Sequence, residues 1–158
     1  MSSPASRAPR KFLVVVDKTP ECKVAIRFAT RRAMATGGRM TLLCVAQPTD
    51  FQQWRGVEEI MKDEAHQEAE SLIYEAAKAV NELSGITCEL VIAEGRAMDA
   101  LMELLKGDSD LSILVLATST AKEGPGPLVT TVATAAQYPI PVTIVPGSLS
   151  NAEIDSLA

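Results

Sequence analysis

A chain of 158 residues with a net charge of −5 is long enough for one domain with its own hydrophobic core. Hydrophobic residues make up 47% of the sequence and aromatic residues only 4%, so we expect an aliphatic core. The acidic balance argues against nucleic-acid binding as the main function, and we interpret the basic residues Arg7, Arg10, Lys11, Arg31 and Arg32 as solvated surface.

The sequence also indicates where the protein works. No apolar run approaches the roughly 20 residues of a membrane helix, and the N-terminus lacks the apolar core of a signal peptide. The three cysteines, Cys22, Cys44 and Cys88, have no metal-ligand spacing, and we interpret them as small buried hydrophobes in a reducing compartment. We therefore expect a cytoplasmic protein without membrane contact and without a metal site.

The first elements in chain order are an arm, a strand and a helix. Residues 1–10 are rich in Ser, Pro and Arg and are predicted to form a disordered arm. The apolar, β-branched run at 12–16 predicts a strand buried on both faces, which Asp17 ends. Residues 19–21 then resemble an N-cap threonine, a first-turn proline and a first-turn acid, and the glycines at 37–38 end the helix.

Strands and helices alternate through the rest of the chain. The pattern predicts strands at 40–46, 87–93, 111–117 and 142–145, helices at 57–83, 96–106 and 130–137, and a polar tail at 147–158. This alternation predicts one α/β domain over 11–146, with a doubly wound parallel sheet between two layers of helices.

Such sheets bind ligands at the carboxyl ends of the strands, where the winding direction reverses. We expect that crevice between the first and fourth strands, whose following loops begin at Asp17 and Thr118. Asp17 could contact a ribose or adenine, or could bond nearby backbone amides. Thr118, Ser119 and Thr120 could donate hydroxyls to an anion beside Lys122, or could cap a turn. The residues leave both alternatives open.

Four stretches together resemble the universal stress protein family: KFLVVVD before a helix, TLLCVA, GITCELVIAEG, and the region from Asp110 to Val145. The resemblance covers residues 11–146. It implies a Rossmann-like, adenine nucleotide alpha hydrolase-like fold with the strand order 3-2-1-4-5. It also implies a possible site for ATP or AMP, with candidate binding residues Val16, Asp17, Val45, Ala117, Thr118, Thr120, Thr130, Thr131 and Val132.

The segment that corresponds to the family's phosphate-binding loop lacks the family's glycines. Nucleotide-binding members carry G-x-x-G, nine residues, then G-S or G-T after the fourth strand. The three glycines correspond here to Ala117, Thr120 and Thr130. Glycine matters at these positions because it has no Cβ, so that backbone N–H groups can approach the phosphate. All three replacements carry a Cβ. Pro125 and Pro127 remove two further amide donors. The resemblance therefore predicts weak or absent ATP binding.

Three functions follow as hypotheses. The first two are an adenine-nucleotide-responsive module in the stress response and a nucleotide-independent interaction protein with a protein partner. The third is a weak ATPase, for which Asp17 is the only candidate base in the crevice. A phosphoacceptor receiver is set aside because the acidic pair and lysine of that class are missing. We expect binding rather than catalysis.

The fifth strand is predicted to be a sheet edge that forms a homodimer. Val142, Thr143, Ile144 and Val145 carry no charge and are bracketed by prolines, which suits pairing with a second copy. Family resemblance points the same way. Alternatively, the C-terminal tail covers this edge through Leu149, Ile154 or Leu157.

Two other features have a structural interpretation beside a functional one. Phe51 and Trp54 could form a lid over the crevice or cover the core. His66 and Glu70 have i, i+4 spacing, and we interpret them as a solvated helix face.

Overall fold

The computed structural model describes residues 9–46, 58–122, 124–134 and 139–158, in which five strands alternate with five helices. The strands are β1 (Lys11–Val16), β2 (Arg39–Ala46), β3 (Glu89–Glu94), β4 (Leu111–Ala117) and β5 (Val142–Val145). The helices are α1 (Cys22–Thr36), α2 (Glu58–Ser84), α3 (Ala97–Gly107), α4 (Pro127–Thr134) and α5 (Asn151–Leu157).

The five strands form one parallel sheet in the order β3-β2-β1-β4-β5, which confirms the predicted fold class and strand order. The strand β1 lies in the middle and pairs with β2 on one side and β4 on the other. The winding direction therefore reverses between β1 and β4, as the alternation predicted.

Alternate residues of β1 point into two separate cores, one on each face of the sheet. Phe12, Val14 and Val16 pack with α1 and α2 on one face. Leu13 and Val15 pack with α3 and α4 on the other. All six residues of β1 are buried, because side chains of a strand alternate in direction and both faces are covered by helices. The three-layer prediction is thus confirmed.

The interpretation of Lys11 as solvated surface was wrong. Lys11 is the first residue of β1, its side chain is only 4% exposed, and its Nζ lies 2.5 Å from carboxylate oxygens of both Glu89 and Asp108. Burial by itself would lower the pKa of the Lys11 ammonium, but the hydrogen bonds to the two carboxylates raise it. The hydrogen bond from the Lys11 ammonium lowers the pKa of Asp108. A buried ammonium therefore joins the starts of β1 and β3 to the turn before β4.

The helix α1 begins later than the sequence predicted. Its first residue is Cys22 and its N-cap is Glu21, which makes no side-chain capping bond. The predicted N-cap, Thr19, instead donates its backbone N–H and its hydroxyl to Oδ1 of Asp17. The residues before α1 form a turn because the aspartate competes for the groups that would otherwise begin the helix.

The helix α4 begins earlier than predicted, at Pro127 rather than at Thr130. Proline suits the first turn of a helix because its fixed φ is helical and its missing N–H would have no intrahelical partner there. The predicted end of this helix, at Gln137, lies outside the described residues. Thr130 and Thr131 belong to this helix, as the sequence predicted, and its start at Pro127 adds one turn before them.

The cysteines behave as small apolar side chains. Cys22 and Cys44 are buried, Cys88 is half-buried just before β3, and all three are free thiols. Burial raises the pKa of Cys22 to about 12 and that of Cys88 to about 11. Both thiols therefore stay protonated near neutral pH.

The C-terminal tail contains a helix that the polar sequence pattern did not predict. Ser150 and Glu153 form a capping box at the start of α5, and Ile154 is fully buried where α5 packs on α1. The side chains of Arg27 and Arg31 both bond the carboxylate of Asp155, at 2.7–3.2 Å. Hydrogen bonds from these guanidinium groups lower the pKa of Asp155 to about 2.

This helix leaves the edge strand β5 open. Ile154 contributes to the contact with α1, whereas Ile144 of β5 is 42% exposed. Among the described residues β5 pairs only with β4. The alternative in which Ile154 covers this edge was therefore wrong.

We expect the substitution Ile154→Ala to lower the free energy of unfolding by about 2–4 kcal/mol, because it empties a buried aliphatic position. The matched control is Leu157→Ala in the same helix, where the side chain is 67% exposed and the loss should be within about 0.5 kcal/mol. Urea unfolding followed by circular dichroism measures both. Equal effects would show that α5 is not packed on α1 in solution.

Candidate functional site

A cavity of about 430 Å³ lies over the carboxyl ends of β1 and β2. Val16, Cys44 and Val45, from the two strand ends, form its apolar floor. The middle of α2 forms one wall, and the first residues of α3 and α4 form the other, so the cavity bridges both helical layers. Asp17 and Lys18 reach it because β1 ends there.

A second cavity, of about 110 Å³, lies between β1 and β4. Its lining includes Ala117, Cys22 and the residues 125–129 that start α4. This is the crevice that the sequence predicted from the reversal of winding. It is the smaller of the two cavities, and the 430 Å³ cavity lies on the β2 side of the end of β1.

Asp17 has the structural role that the sequence offered as one of two alternatives, since it bonds a nearby backbone amide. Its Oδ1 accepts the backbone N–H of Thr19 at 2.9 Å, and also the Thr19 hydroxyl. Oδ2 accepts no hydrogen bond from the described residues, and the side chain is exposed at the rim of both cavities. One carboxylate oxygen thus shapes the turn, and the other is available to a ligand hydroxyl.

An ion pair between Lys18 and Glu68 stands at the rim of the larger cavity. Lys18 follows β1, Glu68 lies on α2, and their side chains are 65% and 50% exposed. Neither residue was singled out from the sequence, because neither belongs to a recognisable motif. The signal was present in the helical spacing, since Glu68 lies one turn from Ala65 and Leu72, which also line the cavity.

The first backbone N–H groups and the first hydroxyl of the loop after β4 form hydrogen bonds within the protein. The N–H of Thr118 donates to the carbonyl of Val145 at 2.9 Å, and the Thr118 hydroxyl accepts the N–H of Gly147 at 3.1 Å. The N–H of Ser119 donates to the carbonyl of Pro125 at 2.9 Å and closes the loop on itself. Further bonds inside the loop join the N–H of Ala121 to the Ser119 hydroxyl and the N–H of Gly124 to the Ala121 carbonyl.

The loop turns at different residues from those of the family pattern. Gly124 and Gly126 have φ values of 111° and 106°, which side chains rarely adopt. No described non-glycine residue has a positive φ, so Ala117, Thr120 and Thr130 all have ordinary backbones. The two glycines inside the nine-residue interval therefore make the turns that fold this loop.

The described structure separates the rest of the predicted set. Thr120 is exposed and lines neither cavity. The hydroxyls of Thr130 and Thr131 donate to carbonyls one turn earlier in α4, those of Gly126 and Pro127. Val132 is buried in the core between α4 and the sheet. Of the nine candidates, the larger cavity brings together only Val16, Asp17 and Val45, and Ala117 lies in the smaller one.

No further described candidate adds chemistry to this site. Phe51 and Trp54 lie outside the described residues. His66 and Glu70 form an i, i+4 pair at 3.1 Å on an exposed face of α2. The described part of the chain holds no group of three His, Cys, Asp or Glu side chains that could bind a metal ion. None of its helices is both long and apolar enough to span a bilayer.

Comparison with known proteins decides the family. The sequence model of the universal stress protein family matches residues 9–146, which is most of the chain. The chain belongs to the universal stress protein family. None of the curated protein sequences is similar to it.

Solved structures of universal stress proteins share the fold. The UspA protein from Lactobacillus plantarum is 17% identical, with a TM-score of 0.72 over 87% of this chain and 99% of that one. A universal stress protein in complex with cAMP is 20% identical, with a TM-score of 0.58 over 88% and 98%. A family member from Arabidopsis thaliana with AMP bound is 16% identical, with a TM-score of 0.59 over 87% and 92%. At these identities the likeness shows the fold alone.

The contact between Gly147 and the β4 loop can be tested by adding one methyl group. A Cβ on Gly147 would lie 1.9 Å from the carbonyl oxygen of Thr118, so Gly147→Ala must displace the start of the loop. We expect a loss of about 1–3 kcal/mol in the free energy of unfolding.

The control for this prediction is Gly107→Ala at the end of α3, where a Cβ meets nothing within 4 Å and φ is not positive. Alanine is favoured in a helix, so stability should be unchanged or slightly higher. Urea unfolding compares the two variants, and a Gly147→Ala protein as stable as the parent would rule out the tight contact.

Proposed function

We propose that this universal stress protein acts by binding rather than by catalysis. Its larger cavity takes the nucleoside part of a ligand, and it holds a triphosphate weakly or not at all. The observation that carries this proposal is the hydrogen bonding of the loop after β4. The amides of Thr118, Ser119, Ala121 and Gly124 all donate within the protein.

Anion binding needs backbone N–H groups that are free to point at phosphate oxygens. Four amides of this loop already have acceptors, and Pro125 and Pro127 have no N–H to offer. Freeing the bonded amides would break bonds that fold the loop, each worth about 1 kcal/mol net. A polyphosphate therefore gains little from this loop.

The second candidate function is a full adenine-nucleotide response. Two observations favour it: the 430 Å³ cavity is large enough for a nucleotide, and relatives with the same fold have AMP or cAMP bound. A weak ATPase is a further variant of this candidate. It would depend on Asp17 as the base, and the carboxylate of Asp17 is already occupied on one oxygen.

The first prediction of the proposal is weak ATP binding. Calorimetric titration with Mg-ATP should give a dissociation constant no tighter than about 100 μM, or about −5.5 kcal/mol. Adenosine under the same conditions is the positive control for an open cavity. A submicromolar constant for Mg-ATP would refute the proposal and favour the second candidate.

The second prediction concerns Asp17. We expect Asp17→Ala to weaken adenosine binding about tenfold or more, because a hydrogen bond to a charged acceptor is worth about 1.5–3 kcal/mol. The control is Asp17→Asn, which keeps an oxygen acceptor for the Thr19 amide but removes the charge. If affinity for adenosine is the same in the alanine variant and the parent, Asp17 is not part of the site.

The third prediction is a homodimer through β5. The strand presents one unpaired edge in the described structure, and Ile144 is 42% exposed on it. Prolines at 139, 141 and 146 limit the strand to four residues, which favours closed pairing with one other copy. Sedimentation at micromolar concentration should find twice the chain mass.

Substitutions on the two edge strands of the sheet test whether the dimer forms through β5. Ile144→Lys should shift the protein toward monomer, because it places a charge on the proposed interface. Leu90→Lys, on the opposite edge strand β3 and 36% exposed in the parent, should leave the dimer intact. A parent protein that sediments as a monomer would remove the homodimer from the proposal.

A further inference from the structure

The charged groups around the larger cavity are mostly negative. Among the described residues, Asp17, Lys18 and Glu68 are the charged ones that line it, and they sum to −1. The one cation of these three is not free, because the Lys18 ammonium pairs with the Glu68 carboxylate. Arg96 and Lys122 lie nearby in sequence to lining elements, but neither lines the cavity.

The field of both carboxylates reaches the floor of the cavity. Burial raises the pKa of Cys44 first, and the negative charges of Asp17 and Glu68 raise it further. Cys44 lies on the floor beside Val45. A negatively charged ligand group in this space would therefore be repelled by two carboxylates, those of Asp17 and Glu68.

The neighbouring backbone offers little compensation. Helix α4 borders the cavity with Pro127, which has no N–H, and with Leu128, and the loop amides of Thr118, Ser119, Ala121 and Gly124 donate within the protein. Lys18 is the only cation among the described residues that line the cavity, so a phosphate gains this cation by separating it from Glu68. A ribose, in contrast, brings hydroxyl donors, and Asp17 Oδ2 is an acceptor without a partner among the described residues.

From this arrangement we infer that Glu68 is a specificity-determining residue of the cavity. By pairing with Lys18 and facing the ligand with a negative charge, Glu68 makes an uncharged, diol-bearing nucleoside bind better than the corresponding monophosphate. The inference rests on the proposed function, since it specifies the ligand class of the same cavity.

The test measures adenosine and AMP by calorimetric titration of the full chain at low salt. The parent should bind adenosine at least threefold more tightly than AMP. Glu68→Gln should tighten AMP binding by about three- to tenfold, the scale set by about 1 kcal/mol per charge pair at 4 Å in water. It should change adenosine binding by less than about twofold, and added salt should reduce the gain for AMP.

Two further variants identify the residues responsible. Glu70→Gln makes the same chemical change two residues along α2, where the side chain pairs with His66 and does not line the cavity, so neither affinity should change. Adding Lys18→Met to Glu68→Gln should remove the gain for AMP, because it removes the released cation. Circular dichroism should show equal unfolding midpoints for the Glu68→Gln, Glu70→Gln and parent proteins.

The outcomes separate this inference from the proposed function. If the parent binds AMP as tightly as adenosine, or if Glu68→Gln leaves AMP binding unchanged, the inference is overturned while nucleoside binding stands. If neither ligand binds any variant, the proposed function fails, and the inference fails with it.

Discussion

The burial of β1 on both faces is the constraint on which the rest of this structure depends. Its five apolar residues, 12–16, serve two cores, and so a charged group fits the strand only at an end. At the start, Lys11 is buried between two carboxylates that β3 and the turn before β4 supply. At the other end the charges of Asp17 and Lys18 emerge together at the rim of the cavity. The site lies where the buried strand stops.

Hydrogen bonds of Thr118 with the end of β5 and with the residue after Pro146 fix the start of the loop that follows β4. Thr118 bonds Val145 through its amide and Gly147 through its hydroxyl, so the first residue of the loop is fixed by the sheet edge. The loop then closes on itself at Ser119 and Pro125. The N–H donors that fold the loop are the donors that a phosphate would require, so under the proposed function the stability of the loop opposes polyphosphate binding.

Part of the candidate site could be read from the sequence, and part could not. Asp17 was predictable because a carboxylate directly after a buried apolar run must lie at the strand end, and strand ends of a parallel sheet meet at one edge. Glu68 could be placed beside Ala65 and Leu72 from its spacing on α2, but only the folded chain shows that this face of α2 borders the cavity. The family spacing could not show that the loop turns at Gly124 and Gly126, or that the hydroxyls of Thr130 and Thr131 bond carbonyls one turn earlier.

The sequence by itself determined the order of the elements from β1 to β5 and the parallel sheet, because periodicity of apolar residues and chain connectivity are local properties. The family followed from resemblance to known sequences. Only the tertiary structure decided the burial of Lys11, whose partner Asp108 lies 97 residues away, and the contact of Thr118 with Gly147, 29 residues away. It also decided that α5 packs on α1 through Ile154. These outcomes depend on which distant groups meet, and a polar or charged side chain is stable in the interior only when such a partner is present.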